Sequence, residues 1–353
     1  MKNLSAIFII IFMALGLIIA VPTLYKGYVE TGKIRFDTVS NGKWTSIYEK
    51  EFADKLPVRE PGLSFWGALE LLIFQEGRKG VIIGKNGWLF TDEEFTADKN
   101  RQSIIENNKN FILDTSRKLT NEGIILVITL VPAKSRVMAK HLGDYTYPDY
   151  NKDFYSQIQS FLKENSINST DTLIDLSNND KSFIKTDTHW SSTGAKIQAK
   201  KIAEYINDKK LFDSPNTDYA LTKTNREKLD GDLTRYVPAK KLRYKYDIAP
   251  QYIQLEDAQI QQQDNNENDL FGDNTAPITL VGTSYSADKR WNFESYLKYF
   301  LKSDLYNAAD EGLGPFTTMK DYLNSNEFKN IPPKLIIWEI PERYISLPEK
   351  NDN

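Results

Sequence analysis

Apolar residues in this chain fall into two patterns, short unbroken runs and longer stretches in which they recur every three or four positions. The unbroken runs are "IILVITLVP" (Ile124–Pro132), "PITLVG" (Pro277–Gly282) and "KLIIWEIP" (Lys334–Pro341). Short β-branched runs of this kind predict strands of a parallel sheet covered on both faces. "TLIDLS" (Thr172–Ser177) reads as a further strand. Helical spacing predicts helices at "FWGALELLIFQ" (Phe65–Gln75), Lys109–Asn121, "FYSQIQSFLKEN" (Phe154–Asn165) and "STGAKIQAKKIAEYINDKK" (Ser192–Lys210), the last capped by Ser192 or Thr193. "GVIIGKNGWLF" (Gly80–Phe90) predicts two short strands joined at Asn86-Gly87. Strands alternating with helices argue for a parallel α/β sheet. Residues 214–270 break the pattern and end in a Gln/Asn-rich tract, which predicts an exposed insertion or strands closing on a loose loop.

The longest apolar run stands near the start. "LSAIFIIIFMALGLIIAV" (Leu4–Val21) is uncharged, follows Lys2 and precedes Pro22. Its 18 residues would span roughly 27 Å as a helix, close to the hydrocarbon thickness of a bilayer. The small-x-small cleavage signature is poor, so an uncleaved signal anchor is expected, with a cleaved signal or a core helix as the alternatives. The layout expected is an anchor over 1–24, a stalk and first helix ("WTSIYEKEFADKL") over 25–54, and a catalytic domain over 55–353. That domain lies outside the cytoplasm, on the periplasmic or cell-surface side of the membrane.

Composition narrows the chemistry. A net charge of −3 over 353 residues gives no reason to expect nucleic acid. With no cysteine there is no thiol nucleophile, disulfide or Cys-ligated zinc. With two histidines, His141 and His189, and no ligand spacing around them, no metal site is expected. No cofactor is expected either. His141, in "MAKHLGD", reads as a solvent-side helix residue.

Candidate chemistry centres on "KTDTHWSSTG" (Lys185–Gly194) and "TLVGTSYSADKR" (Thr279–Arg290). In extended chain Asp187 and His189, two apart, face the same way, so the carboxylate can orient the imidazole. A surface histidine beside a helix cap explains the same residues. Ser284 follows a buried strand and opens a helix, the place where α/β enzymes bind ligands. Thr283 and Ser286 compete for the role, and a cap is the plain alternative. Glu339 and Arg343 end a strand at the same sheet edge; they line the cleft or form an ion pair closing that loop. Lys134 and Arg136, after the "LVP" strand, and the aromatics Trp88, Trp190 and Trp291 are weighed as ligand contacts against core roles.

Taken in order, "GVIIGKNGWLF", "ITLVPAKSRV", "DTHWSSTGA", "GDLTRYVP", "LVGTSYSADKRWNF" and "IIWEIPER" resemble the AlgX/AlgJ group of alginate O-acetyltransferases. The resemblance runs from about Lys55 to Arg343. It implies an SGNH-hydrolase-like (flavodoxin-like) fold with permuted block order, the Asp/His block preceding the serine block. It implies a triad of Ser284, His189 and Asp187. Placement beside these motifs makes Gly282, Thr283 and Tyr285 the candidates for the oxyanion and substrate, with Trp190, Lys134, Glu339 and Arg343 as further candidates. The resemblance also implies an acetyl group supplied by a membrane-bound O-acyltransferase and passed to hydroxyls of an exported polysaccharide. The chain stops soon after Arg343, without the carbohydrate-binding module of the AlgX type, which places it closer to the AlgJ type. A carbohydrate acetylesterase and a non-catalytic polysaccharide-binding scaffold are the rival readings.

Overall fold

The computed structural model describes residues 59–237, 240–261 and 276–348, with scattered positions between 10 and 50. The expected anchor and the expected helix at Trp44–Leu56 fall mostly outside the described residues. Among those described, no helix is long and apolar enough to cross a membrane. The chain forms two compact units, one of residues 1–77 with 237–242, the other of residues 78–236 with 243–353.

The first unit holds helix α1 (Arg59–Ile73), with Pro61 in its first turn, where the missing N–H costs nothing. Leu71 is buried, while Phe65, Trp66 and Ile73 are exposed.

The second unit opens with a hairpin of β1 (Val81–Ile83) and β2 (Leu89–Thr91), turning through left-handed Asn86 as the sequence predicts. Helix α2 (Arg101–Asn121) extends the predicted helix two turns toward its start and leads into β3 (Ile125–Val131). Helix α3 (Phe154–Glu164) follows, then the short strand β4 (Asn168–Thr170). "TLIDLS" is not the strand expected. The strand lies just before it, and Leu173–Ser177 is helical, with Leu176 buried and Ile174 exposed. Asp171 ends the strand by accepting the Leu173 N–H, a local turn that competes with the ladder.

Helix α4 (Ser192–Asp208) begins one residue after its cap, which is Ser191: its hydroxyl accepts from Thr193 and Gly194 N–H. The irregular region is an antiparallel ribbon of β5 (Tyr219–Leu229) and β6 (Gln251–Ile260). Residues 262–275, with most of the Gln/Asn-rich tract, lie outside the described residues. Next come β7 (Ile278–Val281), the one-turn helix α5 (Ser284–Ala287), α6 (Phe293–Leu301), β8 (Leu305–Asn307), α7 (Pro315–Asn324) and β9 (Leu335–Pro341).

Five strands form one parallel sheet in the order β4-β3-β9-β7-β8. Alternate residues feed opposite cores. Val127, Ile278, Leu280, Leu335 and Ile337 pack toward α4 and α6 residues, whereas Ile128, Ile336, Trp338 and Ile340 pack toward α2, α3 and α7 residues. Burial on both faces is why these strands read as unbroken apolar runs. The carboxyl ends of β3, β9 and β7 stand side by side, and their following turns carry "PAKSR", "PER" and "GTS".

Candidate active site

Strand β7 ends at Val281, and Gly282-Thr283 turn the chain into α5, which starts at Ser284. A Cβ on Gly282 would lie 2.5 Å from Glu339 Oε2, so only glycine lets the buried Glu339 carboxylate sit under this turn. Glu339, from β9, accepts the Thr283 N–H (2.7 Å), the Thr283 hydroxyl (3.0 Å) and the Ser286 hydroxyl (3.1 Å). Burial raises its pKa, against the pull of those hydrogen bonds.

Ser284, half-buried, meets His189 from a loop 95 residues earlier: Oγ to Nε2 is 2.7 Å. On the far side of the ring, His189 Nδ1 lies 2.5 Å from Asp187 Oδ1. A carboxylate there fixes the proton on Nδ1 and leaves Nε2 to accept the serine proton. The pair does not reach this geometry through extended chain, as the sequence suggested. Residues 185–189 are turn and bend, and Asp187 Oδ1 also accepts the His189 N–H at 3.0 Å, a short Asx-type loop. Asp187 Oδ2 accepts the Asp232 N–H at 2.8 Å. Burial alone would raise the Asp187 pKa; the bonds from His189 and the two backbone N–H groups outweigh it and hold the carboxyl well below the usual range.

Asp232, within "GDLTRYVP", was not singled out by its sequence. It accepts the Thr188 N–H (2.8 Å) and hydroxyl (2.7 Å). Gly231 brings it close, since a Cβ there would meet Thr186 O at 2.2 Å. The Gly-Asp pair in a predicted irregular region was the signal to read. Ligand atoms of Asp187, His189 and Asp232 lie within 4.8 Å of one another, close enough for a metal. N–H and O–H donors already take both carboxylates, so the chemistry of this set is that of a hydrogen-bond relay.

The imidazole is held between two rings, Trp291 stacked at 5.0 Å and Tyr285 tilted at 4.7 Å. Arg290 covers the Trp291 ring, and Arg343 covers the Tyr285 ring. Trp291 Nε1 donates to Ser284 O (3.1 Å), and Trp190 Nε1 to Tyr285 O (3.1 Å), so the two indoles brace the backbone of the serine turn.

Of the residues weighed between cleft and core, several are packed inside. Trp190, Trp291 and Trp88 are buried and offer no face to a sugar. Tyr285 is buried, donates to Thr188 O (2.5 Å) and accepts from Arg343 (3.1 Å). Thr283 spends its hydroxyl on Glu339. Arg343 pairs with Glu93 at 3.2 Å rather than opening to solvent. Arg136 binds Glu342. Lys134 is buried and faces four backbone carbonyls. For the charged residues the physical reason is shared: the β-strand ends lie beneath the turns that carry Ser284 and His189, so these side chains must find partners inside. His141 is half-buried and stacks on Trp88 at 4.4 Å, not a free surface residue.

A parallel sheet with a serine turn at its carboxyl edge and an Asp-x-His loop meeting it defines the SGNH-hydrolase-like class. The family model described as "SGNH hydrolase-like domain, acetyltransferase AlgX" matches residues 81–342. The chain belongs to this AlgX/AlgJ family and is an O-acyltransferase, an acetyltransferase of SGNH type. It is 34% identical to the probable alginate O-acetylase AlgJ of Pseudomonas syringae pv. tomato, over 99% of this chain and 90% of that one. It is 36% identical to that of Pseudomonas aeruginosa, over 87% of this chain and 81% of the relative. The solved O-acetyltransferase domain of Pseudomonas putida AlgJ superposes with a TM-score of 0.69 at 31% identity, covering 77% of this chain and 94% of that domain.

Proposed function

We propose that this acetyltransferase works through a serine acyl-enzyme and delivers acetyl groups to hydroxyls of an exported polysaccharide of the alginate kind. The observation that carries the reading is the hydrogen-bonded chain Ser284–His189–Asp187, 2.7 Å and then 2.5 Å. Its relatives' names supply the acceptor class.

In this reading Ser284 Oγ attacks the carbonyl carbon of an acetyl donor while His189 Nε2 takes the hydroxyl proton. Asp187 stabilises the imidazolium that forms. The Ser284 backbone N–H, at the start of α5, receives the developing oxyanion, the next three N–H groups being taken by Thr283. His189 then returns the proton to the leaving group, and the acetyl ester stays on Ser284. A sugar hydroxyl repeats the steps in reverse: its proton passes to His189, its oxygen takes the acetyl, and the Ser284 Oγ–C bond breaks as the proton returns to Oγ. No cofactor enters. The Leu4–Val21 run serves as the anchor, setting the domain on the periplasmic face beside a membrane-bound O-acyltransferase that supplies the acetyl group.

The test supplies an activated acetyl ester with and without oligouronates and follows the acetyl group by mass spectrometry. Acetylated oligomer, formed only with Ser284 present, is the expected product. Release to water alone, undiminished by added oligomer, would make the protein an esterase. No turnover by folded protein would favour a binding scaffold.

A further inference from the structure

Lys134 stands one turn beyond the end of β3 and is 1% exposed. Its side chain reaches neither solvent nor a carboxylate. Nζ donates at 2.7 Å to each of the carbonyls of Leu89, Ile184 and Asp187, and at 3.2 Å to that of Lys185. Three of these four carbonyls belong to the loop that presents Asp187 and His189. The fourth opens β2, whose Leu89 N–H already bonds Lys185 O at 2.9 Å.

An ammonium has three N–H donors and no acceptor, which suits a cage of carbonyl oxygens. A neutral amine has two donors and a lone pair that would face an oxygen. The faces of Trp88 and Phe90, 5.2 and 5.3 Å from Nζ, favour the cation too. Asp232 grips the same loop from the opposite polarity, through the Thr188 N–H. The loop is therefore held by a cation on its carbonyls and an anion on its N–H side.

We propose that Lys134 is a positioning residue whose charged ammonium fixes the Ile184–Asp187 backbone, so that Asp187 and His189 are aligned on Ser284 only while Lys134 is protonated. The inference rests on the acyl-enzyme reading above. Burial pulls the Lys134 pKa down to about 7, while the carboxylates facing it, Asp187 in the loop, Asp232 beyond it and Glu94 after β2, pull upward. His141 reaches it only across the Trp88 ring. The clamp consequently changes charge near neutral pH. Loss of the proton as pH rises slackens the loop.

The experiment measures the rate of Ser284 acetylation by an activated acetyl ester from about pH 6 to about 10. It uses the whole chain and its Lys134→Met and Lys134→Arg variants, with Ser284→Ala subtracted as background and thermal melts for folding. The unaltered protein should lose rate on the alkaline side, with a midpoint near 7. Lys134→Met should be slower by roughly 100-fold with no alkaline limb of its own, the scale of a small misplacement of reacting groups. Lys134→Arg, charged throughout, should recover part of the rate and keep it at alkaline pH. A flat alkaline profile in the unaltered protein overturns the proposal, whether or not either variant folds. So does a folded Lys134→Met with the unaltered rate and profile. If Ser284 takes up no acetyl at any pH, the acyl-enzyme reading fails and this inference with it. Ser284 acetylation that is indifferent to Lys134 removes the inference alone.

Discussion

Each side chain of the relay is held by a different kind of contact. Ser284 is placed by a turn over Glu339, Asp187 by three N–H donors, and His189 by the rings of Trp291 and Tyr285. Asp187→Asn keeps the shape but presents an amide to Nδ1, favouring the wrong tautomer. It should slow acetylation of Ser284 by about 10³–10⁴ while the fold persists, a comparison of labelling rate with circular dichroism. The same carboxyl makes a pH prediction. A carboxyl held low in the folded chain stabilises it at every pH above the unfolded value of about 3.9, and that contribution is lost as pH falls through the folded value. Acid titration followed by tryptophan fluorescence should therefore show a shallower loss of stability below about pH 4 for Asp187→Asn than for the unaltered protein. Glu339→Ala strands the Thr283 N–H and two hydroxyls in the interior. It should cost about 2–4 kcal/mol in denaturant unfolding, far beyond an ordinary surface change.

Elements were legible where burial imposes a period. The β3, β7 and β9 runs, α4 and the Asn86 hairpin all stand where their apolar spacing puts them. "TLIDLS" was not, because a short buried apolar run fits a strand or a helix, and Asp171 decides between them through one local hydrogen bond. The ribbon β5–β6 was hard to read since most of its first strand is exposed, leaving no buried face to mark it. It is tied down by Asn292, a buried residue in the left-handed region at φ 59°. Its amide donates to Gln254 O (2.8 Å) and Ser192 Oγ (3.1 Å) and accepts the Glu256 N–H (2.9 Å), joining β6 to the start of α4. Asn292→Ala should cost about 2–3 kcal/mol and speed proteolytic cleavage within the ribbon, measured by limited digestion before any change in the bulk melt.

At the scale of the molecule, the permuted order of blocks has a plain structural counterpart. The Asp/His loop precedes α4 and the serine turn follows β7, yet both arrive at the carboxyl edge of one sheet. Ser284, His189 and Asp187, which the fold brings into one hydrogen-bonded chain, were visible beforehand because Asp-x-His and a strand–Gly–helix serine are local signals. For Lys134, Glu339 and Arg343 the sequence left cleft and internal roles open, since their place at strand ends fits both, and only three-dimensional packing reveals the carbonyls, turn N–H groups and Glu93 that engage them. Packing likewise reveals the role of Asp232, whose partner lies 44 residues away. The Ser284–His189–Asp187 relay is tested most directly by peptide mapping of the protein after brief exposure to an activated acetyl ester. A single added acetyl on Ser284 is expected, absent from Ser284→Ala and from His189→Ala. An acetyl carried elsewhere, or one on Ser284 that forms as fast without His189, would contradict it.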